Sequence, residues 1–275
     1  MSHFNSPREE ARLKALESES IYILREAMKF PRPAMLWSMG KDSSVMLWLA
    51  RKAFFGEIPF PVVHIDTSFK IPEMIEFRDR KAKEWNLDLQ ISQNSAALKA
   101  GMSSACGKLE CCTALKTQAL KDFLAEKNYK AIFTAIRSDE EASRGKERIF
   151  SPRNSQAQWA YEEQIPQFWD MYPSDKASGD GHMRIHPILR WTELDIWLYI
   201  RREQIPVLDL YFSKNGERYR SVGCAPCTGT VRSSANTIDS VIEELRVTKV
   251  GERAGRAQDQ ADRYAMQKLR KAGYM

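Results

Sequence analysis

The chain has 275 residues, 43% of them hydrophobic and 28% charged, which suits one large water-soluble α/β domain with at most a small C-terminal annex. No apolar run approaches the ~18 residues of a membrane span, and residues 1–12 are polar, so no membrane and a cytoplasmic location are expected. The net charge of +6 permits an ATP or nucleic-acid partner without demanding either.

Leu13, Leu16, Ile23, Leu24, Ala27 and Met28 form a stripe at helical spacing over residues 8–29, and Phe30-Pro31-Arg32-Pro33 ends it. A strand is expected at 34–37. It runs into Ser38-Met39-Gly40-Lys41-Asp42-Ser43-Ser44, which opens a helix reaching about residue 53. A small-residue turn between a strand and a helix N-terminus is a phosphate-binding arrangement. Backbone N–H groups and the positive end of the helix converge on an anion there. Lys41 adds a charge, and the hydroxyls of Ser38, Ser43 and Ser44 add donors. The spacing does not fit the Walker pattern GxxxxGK[ST], because Gly40-Lys41 directly follows Ser38-Met39 and Asp42 comes straight after the lysine.

Residues 60–67 read as a second strand ending in Asp66-Thr67, where an open α/β sheet binds its ligands. A helix over 72–85, a strand over 87–91, a helix over 113–126 and a strand over 131–135 continue the alternation. This pattern predicts an α/β, Rossmann-like, doubly wound and mostly parallel sheet. Arg137-Ser138-Asp139-Glu140-Glu141 follows the last of these strands, with Arg144, Lys146 and Arg148 close behind. A charge run at a strand's carboxyl end is a candidate active-site wall. Residues 150–183 are polar with interspersed Trp159, Phe168, Trp169 and Tyr172, and read as a long loop over the site or a partner. Residues 185–189 read as a short extended piece. Thr192 caps a helix with Ile196, Trp197 and Ile200 on its apolar face, 238–247 is a further helix, and a basic tail starts at Gly251.

The S-x-G-K-D-S loop resembles the pyrophosphate (PP) loop of the ATP pyrophosphatases. More widely, the chain resembles the small, ATP-binding subunit of sulfate adenylyltransferase over nearly its whole length, within the adenylyl- and phosphoadenylyl-sulfate reductase superfamily. The match is carried by Leu16-Glu17-Ser18-Glu19-Ser20-Ile21, the loop, His64-Ile65-Asp66-Thr67, Glu76-Phe77-Arg78-Asp79, Asp139-Glu140-Glu141, Lys146-Glu147-Arg148-Ile149, Trp191-Thr192-Glu193 and Gly251-Glu252-Arg253 with Gly255-Arg256. The resemblance implies a PP-loop domain over 1–210 and a C-terminal segment, with CxxC and a basic tail, over 211–275. Ser38, Gly40, Lys41, Asp42, Ser43 and Ser44 would hold the phosphates of ATP, and Asp66, Arg137, Asp139 and Arg144 would line the same pocket. An acceptor oxyanion attacks the α-phosphorus and pyrophosphate leaves, with Mg²⁺ bridging phosphate oxygens beside a carboxylate such as Asp42 or Asp139.

Cysteine usage departs from that subunit. Five cysteines in a cytosolic chain do not suggest a disulfide framework, and Cys111-Cys112 with Cys224-Ala225-Pro226-Cys227 resembles the CC…CxxC set that binds a [4Fe-4S] cluster in adenylyl-sulfate reductases. Structural zinc and plain buried thiols are the competing readings, and Cys106 is a spare, a further ligand or a persulfide carrier. No cysteine follows Cys227, which speaks against the reductase reaction itself. The expected function is therefore an adenylating ATP pyrophosphatase that supports sulfur insertion into the DNA backbone, like the Dnd and Ssp phosphorothioation systems. Its partners would be a cysteine desulfurase, DNA and other modification proteins, and Arg144, Arg148 and Arg153 could contact DNA phosphates. The alternative is a sulfate adenylyltransferase subunit working with a GTPase partner. A non-catalytic scaffold and a tRNA-modifying enzyme are further readings.

Overall fold

The computed structural model describes residues 5–159, 161, 164, 181–255 and 265–274. Helix α1 (Pro7–Glu26) starts at a capping box. The Glu9 amide donates to Ser6 Oγ (3.3 Å) while the Ser6 amide donates to the Glu9 carboxylate (2.7 Å). Its stripe Leu13, Leu16, Ile23 and Leu24 is buried as the spacing demands. Ser20 on the same face donates to the Pro187 carbonyl (2.8 Å) and accepts from Trp191 Nε1 (3.0 Å), pinning α1 to the turn ahead of a later helix.

Strand β1 (Pro33–Leu36) leads into α2 (Lys41–Ala53); β2 (Val62–Ile65), α3 (Pro72–Glu84) and β3 (Leu89–Ser92) follow. After the short helices α4 (Ser95–Lys99) and α5 (Lys108–Cys112), the chain widens into a π-helical turn at Thr113–Gln118. It tightens again as α6 (Ala119–Lys127). The single helix expected over 113–126 is thus two pitches in series, and the widened turn buries Leu115, Lys116 and Thr117 in succession. Then come β4 (Ala131–Phe133), β5 (Phe150–Arg153), β6 (His182–Ile185), α7 (Glu193–Glu203), a β7–β8 hairpin (Glu217–Arg218, Val231–Arg232), α8 (Ile238–Val247) and α9 (Ala265–Lys271).

The main sheet has the order β3-β2-β1-β4-β6-β5. All neighbours are parallel except β5, which runs antiparallel to β6. Met35 on β1 pairs with Val62 on one side and Phe133 on the other. β1 therefore sits where the strand order reverses, and the loops leaving β1 and β4 open side by side at the carboxyl edge. One sheet face packs Met35, Trp37, Val62, Phe133 and Ile185 against α1, α2 and α7. The other packs Ala34, Leu36, Val63 and Ile132 against Leu120, Phe123 and Leu124 of α6. The expected α/β, doubly wound, mostly parallel architecture is the observed one.

Two expectations need correction. Residues 150–153 and 182–185 are paired strands rather than loop, so of the expected extended piece 185–189 only Ile185 is strand, and 187–190 turn instead. Pro152 disguises β5 in the sequence, yet an edge strand tolerates a proline. Gly181 permits the pairing, since a Cβ there would come 1.8 Å from the Arg153 carbonyl oxygen. Residues 165–180, including Phe168, Trp169 and Tyr172, lie outside the described residues.

Candidate active site

An open pocket of roughly 170 Å³ occupies the strand-order reversal. Its floor is residues 36–38 and 40–43, its sides are 63–65 and 134–136, and its roof includes Tyr211, 221–223, Glu252 and Arg253. The loop is braced from within. Ser43 Oγ donates to the Gly40 carbonyl (3.0 Å) and accepts from the Ser38 amide (3.3 Å), while the Ser44 amide closes the first helical turn on Gly40 (2.9 Å). Trp37 Nε1 donates to Ser44 Oγ (3.3 Å), so Ser44 serves the loop's shape and does not line the pocket.

The strained backbone is at Met39, not at the glycine. Met39 holds φ +61°, in the left-handed region, with its side chain buried. Gly40 has φ −66°, which any residue can adopt. A Cβ on Gly40 would stand 3.4 Å from Ser38 Oγ and 3.5 Å from Tyr211 Oη, so the glycine keeps the floor open. Tyr211 also accepts from the Lys41 amide (2.8 Å), fixing the first residue of α2.

Lys41, Arg137, Asp42 and Glu252 interlock behind this floor, with Asp139 a fifth charge on Arg137. Lys41 Nζ donates to Asp42 (3.0 Å) and to Glu252, and Arg137 donates to Asp42, Glu252 and Asp139. Burial alone would strip Lys41 of its proton, but Asp42 and Glu252 outweigh it and hold its pKa above the ordinary lysine value. Burial likewise opposes the Glu252 carboxylate, and Arg137 and Lys41 reverse that and hold it well below the usual range. Both ammonium and carboxylate are charged at neutral pH; Lys41 and Arg137 balance Asp42 and Glu252, and Asp139 on Arg137 leaves the whole network one carboxylate in excess.

Ser38, Gly40, Lys41, Asp42, Ser43 and Arg144 line the pocket together. Arg137 is fully buried beneath it and acts through Asp42 and Glu252. Asp139 is turned away. Its two oxygens accept from Arg137 Nε (3.0 Å) and from the Glu193 amide at the start of α7 (2.9 Å), and the carboxylates that line the pocket are those of Asp42, Glu140 and Glu252. Asp66 folds back on the Ser68 amide (2.8 Å) and is not among the lining residues. Sequence reasoning assigned no role to Tyr211 or Glu252. Glu252 had a signal, the Gly251-Glu252-Arg253 match, whereas nothing local marks Tyr211.

The four paired cysteines converge. Cys111, Cys112, Cys224 and Cys227 line one small pocket that shares Lys116 with the larger pocket, and Cys224 Sγ lies 3.1 Å from Thr67 Oγ1. Cys106 is exposed and outside it. Burial first, then the neighbouring Cys112, push the Cys111 thiol up to about 11, and burial also raises Cys227. Protonated, buried thiols are poor nucleophiles. Among the described residues no group of three or more His, Cys, Asp or Glu side chains is placed to hold a metal ion. The [4Fe-4S] expectation thus finds no support here.

Residues 32–230 match the phosphoadenosine phosphosulfate reductase domain. The chain belongs to that family. It is 42% identical to a protein named sulfate adenylyltransferase subunit 2 from Allorhizobium ampelinum, over 95% of this chain and 93% of that one. It is 40% identical to sulfate adenylyltransferase subunit 2 1 from Chromohalobacter salexigens, over 98% of each. Among solved structures, Candida glabrata FMN adenylyltransferase with ATP superposes at a TM-score of 0.60 with 18% identity, over 92% of this chain and 91% of that one. Candida auris phosphoadenylyl-sulfate reductase gives 0.53 with 16% identity, over 83% of this chain and all of that one. These two establish the fold alone.

The relatives establish an enzyme of the ATP pyrophosphatase and adenylyltransferase class acting in sulfur metabolism, and they overturn the DNA phosphorothioation reading. The structure supplies a physical reason as well. Arg153 is 1% exposed and held by Glu147 and Ser151, so it is not offered to a DNA backbone, and Arg144, paired with Glu140, lines the pocket. The cysteine desulfurase, DNA and modification-protein partners lose their basis with it. None of the described helices is long and apolar enough to cross a membrane.

Proposed function

We propose that the chain adenylates sulfate. A sulfate oxygen attacks the α-phosphorus of ATP, the bond to the bridging oxygen breaks, and adenylyl sulfate and pyrophosphate leave. The observation that carries this reading is identity of 40–42% over nearly the whole length with proteins named sulfate adenylyltransferase subunit 2. The word subunit in those names supports a second chain in the working enzyme, which we take to be a GTPase.

In this reading residues 1–210 supply the nucleotide floor and 211–275 the roof. The open end of α2 and the Lys41 ammonium hold the departing pyrophosphate. Arg137 positions Asp42 from below. Arg144 and Arg253, both paired with Glu140 on the pocket wall, present cationic edges to the acceptor oxyanion. Mg²⁺ supplies charge neutralisation on the phosphates, with Asp42 the residue that would hold it. The absence of a three-ligand group among the described residues fits an ion carried chiefly by ATP and water. Asp139 supports this site by fixing Arg137 and the start of α7, and Asp66 by shaping the turn after β2.

The test is exchange of labelled pyrophosphate into ATP by the full chain with its partner subunit, with and without sulfate. Exchange that requires sulfate supports the proposal; exchange indifferent to sulfate would sink it.

A further inference from the structure

Glu252 sits at an odd place for an acid. Its two carboxylate oxygens accept from Lys41 Nζ and Arg137 Nη2 separately, at the floor where ATP phosphates are to bind. That is how two non-bridging phosphate oxygens would engage the same cations. The side chain is 5% exposed, and it comes from the stretch after α8, 211 residues from Lys41 in sequence.

The stretch carrying it is lightly anchored. Val247 and Val250 stay 78% and 56% exposed, so little apolar surface ties it down. Holds among the described residues include the Val250 carbonyl accepting from Arg220 Nη1 (2.6 Å), Arg253 donating to Glu140 (3.3 Å) and to Met266 Sδ (3.6 Å), and Glu252 bonding the two cations. Gly251 between them is exposed, with nothing within 4 Å of where a Cβ would be. With Asp42 and Glu252 in place, Lys41 and Arg137 are already neutralised, so a polyphosphate would meet no net attraction from the four. Exchanging Glu252 for phosphate restores the match of charge without leaving a buried cation bare.

We propose that Glu252 is an internal stand-in for the pyrophosphate group: it occupies the cations of the loop in the nucleotide-free enzyme, is displaced when ATP binds, and returns as pyrophosphate leaves. Residues 248–253 then act as a strap that opens and recloses with each turnover. This rests on the loop being the ATP phosphate site.

The experiment titrates MgATP into the full chain and into Glu252→Gln and Lys41→Ala by calorimetry. Alongside, hydrogen exchange of the wild type is followed with and without a non-hydrolysable ATP analogue. Removing the competing charge should tighten ATP binding on the order of tenfold, because the competent state no longer has to be freed first. Lys41→Ala should weaken binding strongly, and peptides covering 248–253 should exchange faster with analogue bound. Glu252→Gln binding ATP no better than wild type, or slower exchange of the strap with analogue bound, overturns the stand-in. Should Glu252→Gln fail to fold, the wild-type exchange result decides alone. Unaltered ATP binding by Lys41→Ala would instead remove the loop reading beneath it, so the two failures are told apart.

Discussion

Replacing Lys41 by alanine tests the core of the site. The ammonium is 1% exposed, 3.0 Å from Asp42 and bonded to Glu252. Its removal takes one of the two cations from the floor, so that Arg137 alone then faces Asp42, Glu252 and Asp139. A unit charge about 4 Å from a phosphate oxygen, at the effective dielectric of a partly buried site, is worth about 4 kcal/mol. Loss of a charge-assisted hydrogen bond measured in proteins is about 1.5–3 kcal/mol. The expected loss in kcat/KM for sulfate-dependent pyrophosphate release is therefore roughly 10- to 1000-fold. The fold should survive, because Arg137 still satisfies both carboxylates. The assay is coupled pyrophosphate detection, with a thermal melt on the same sample. A folded Lys41→Ala enzyme within threefold of the wild-type rate would refute the assignment.

Three further outcomes follow from the packing. Glu147, 4% exposed, bonds Arg153 (2.8 Å), Ser151 (2.7 Å) and Arg270, so Glu147→Ala strands buried guanidinium groups and should cost about 3–5 kcal/mol in a urea midpoint series; a loss under about 1 kcal/mol contradicts this. Gly181→Ala places a Cβ 1.8 Å from the Arg153 carbonyl and must break the β5–β6 pairing or shift it, read as a clear fall in melting temperature with faster exchange at 150–153 and 182–185. His64 is held neutral, its pKa lowered to about 4 by burial and then Lys70, and burial lowers His186 to about 3. Unfolded histidines take up protons from about pH 6.5 downward while these do not, so stability is full above that pH and falls as pH drops toward 4. A melting temperature flat from pH 7 to 4.5 would contradict the sign, and the slope should shrink in His64→Gln.

Much of the fold was legible locally. The stripe of α1, the Thr192 cap, and the alternation of strands with helices up to β4 each depend on neighbours within a few residues, so the pattern shows in the sequence. The loop after β1 was legible for the same reason. Strand β5 was not, because Pro152 and the polar run behind it mask an edge strand whose pairing depends on Gly181, far along the chain. The roles of Asp139 and Asp66 were misplaced on the pocket because position at a strand's end does not say which way a carboxylate turns. Asp139 found the free amides of α7 instead, a partner 54 residues away.

The sequence by itself determined a strand–turn–helix junction at 38–44, a mostly parallel α/β sheet around it, and kinship with proteins named sulfate adenylyltransferase subunit 2. Periodicity, turn chemistry and motif spacing are properties of contiguous residues. Only the tertiary structure decided that Glu252 reaches back to share Lys41 with Asp42, and that Arg137 works from beneath the pocket. It alone placed four cysteines together, with burial raising the Cys111 and Cys227 thiols, in a pocket with no metal-holding group among the described residues. Those outcomes depend on which distant side chains share a buried volume and on whose charges must balance there, and neither is written in local spacing.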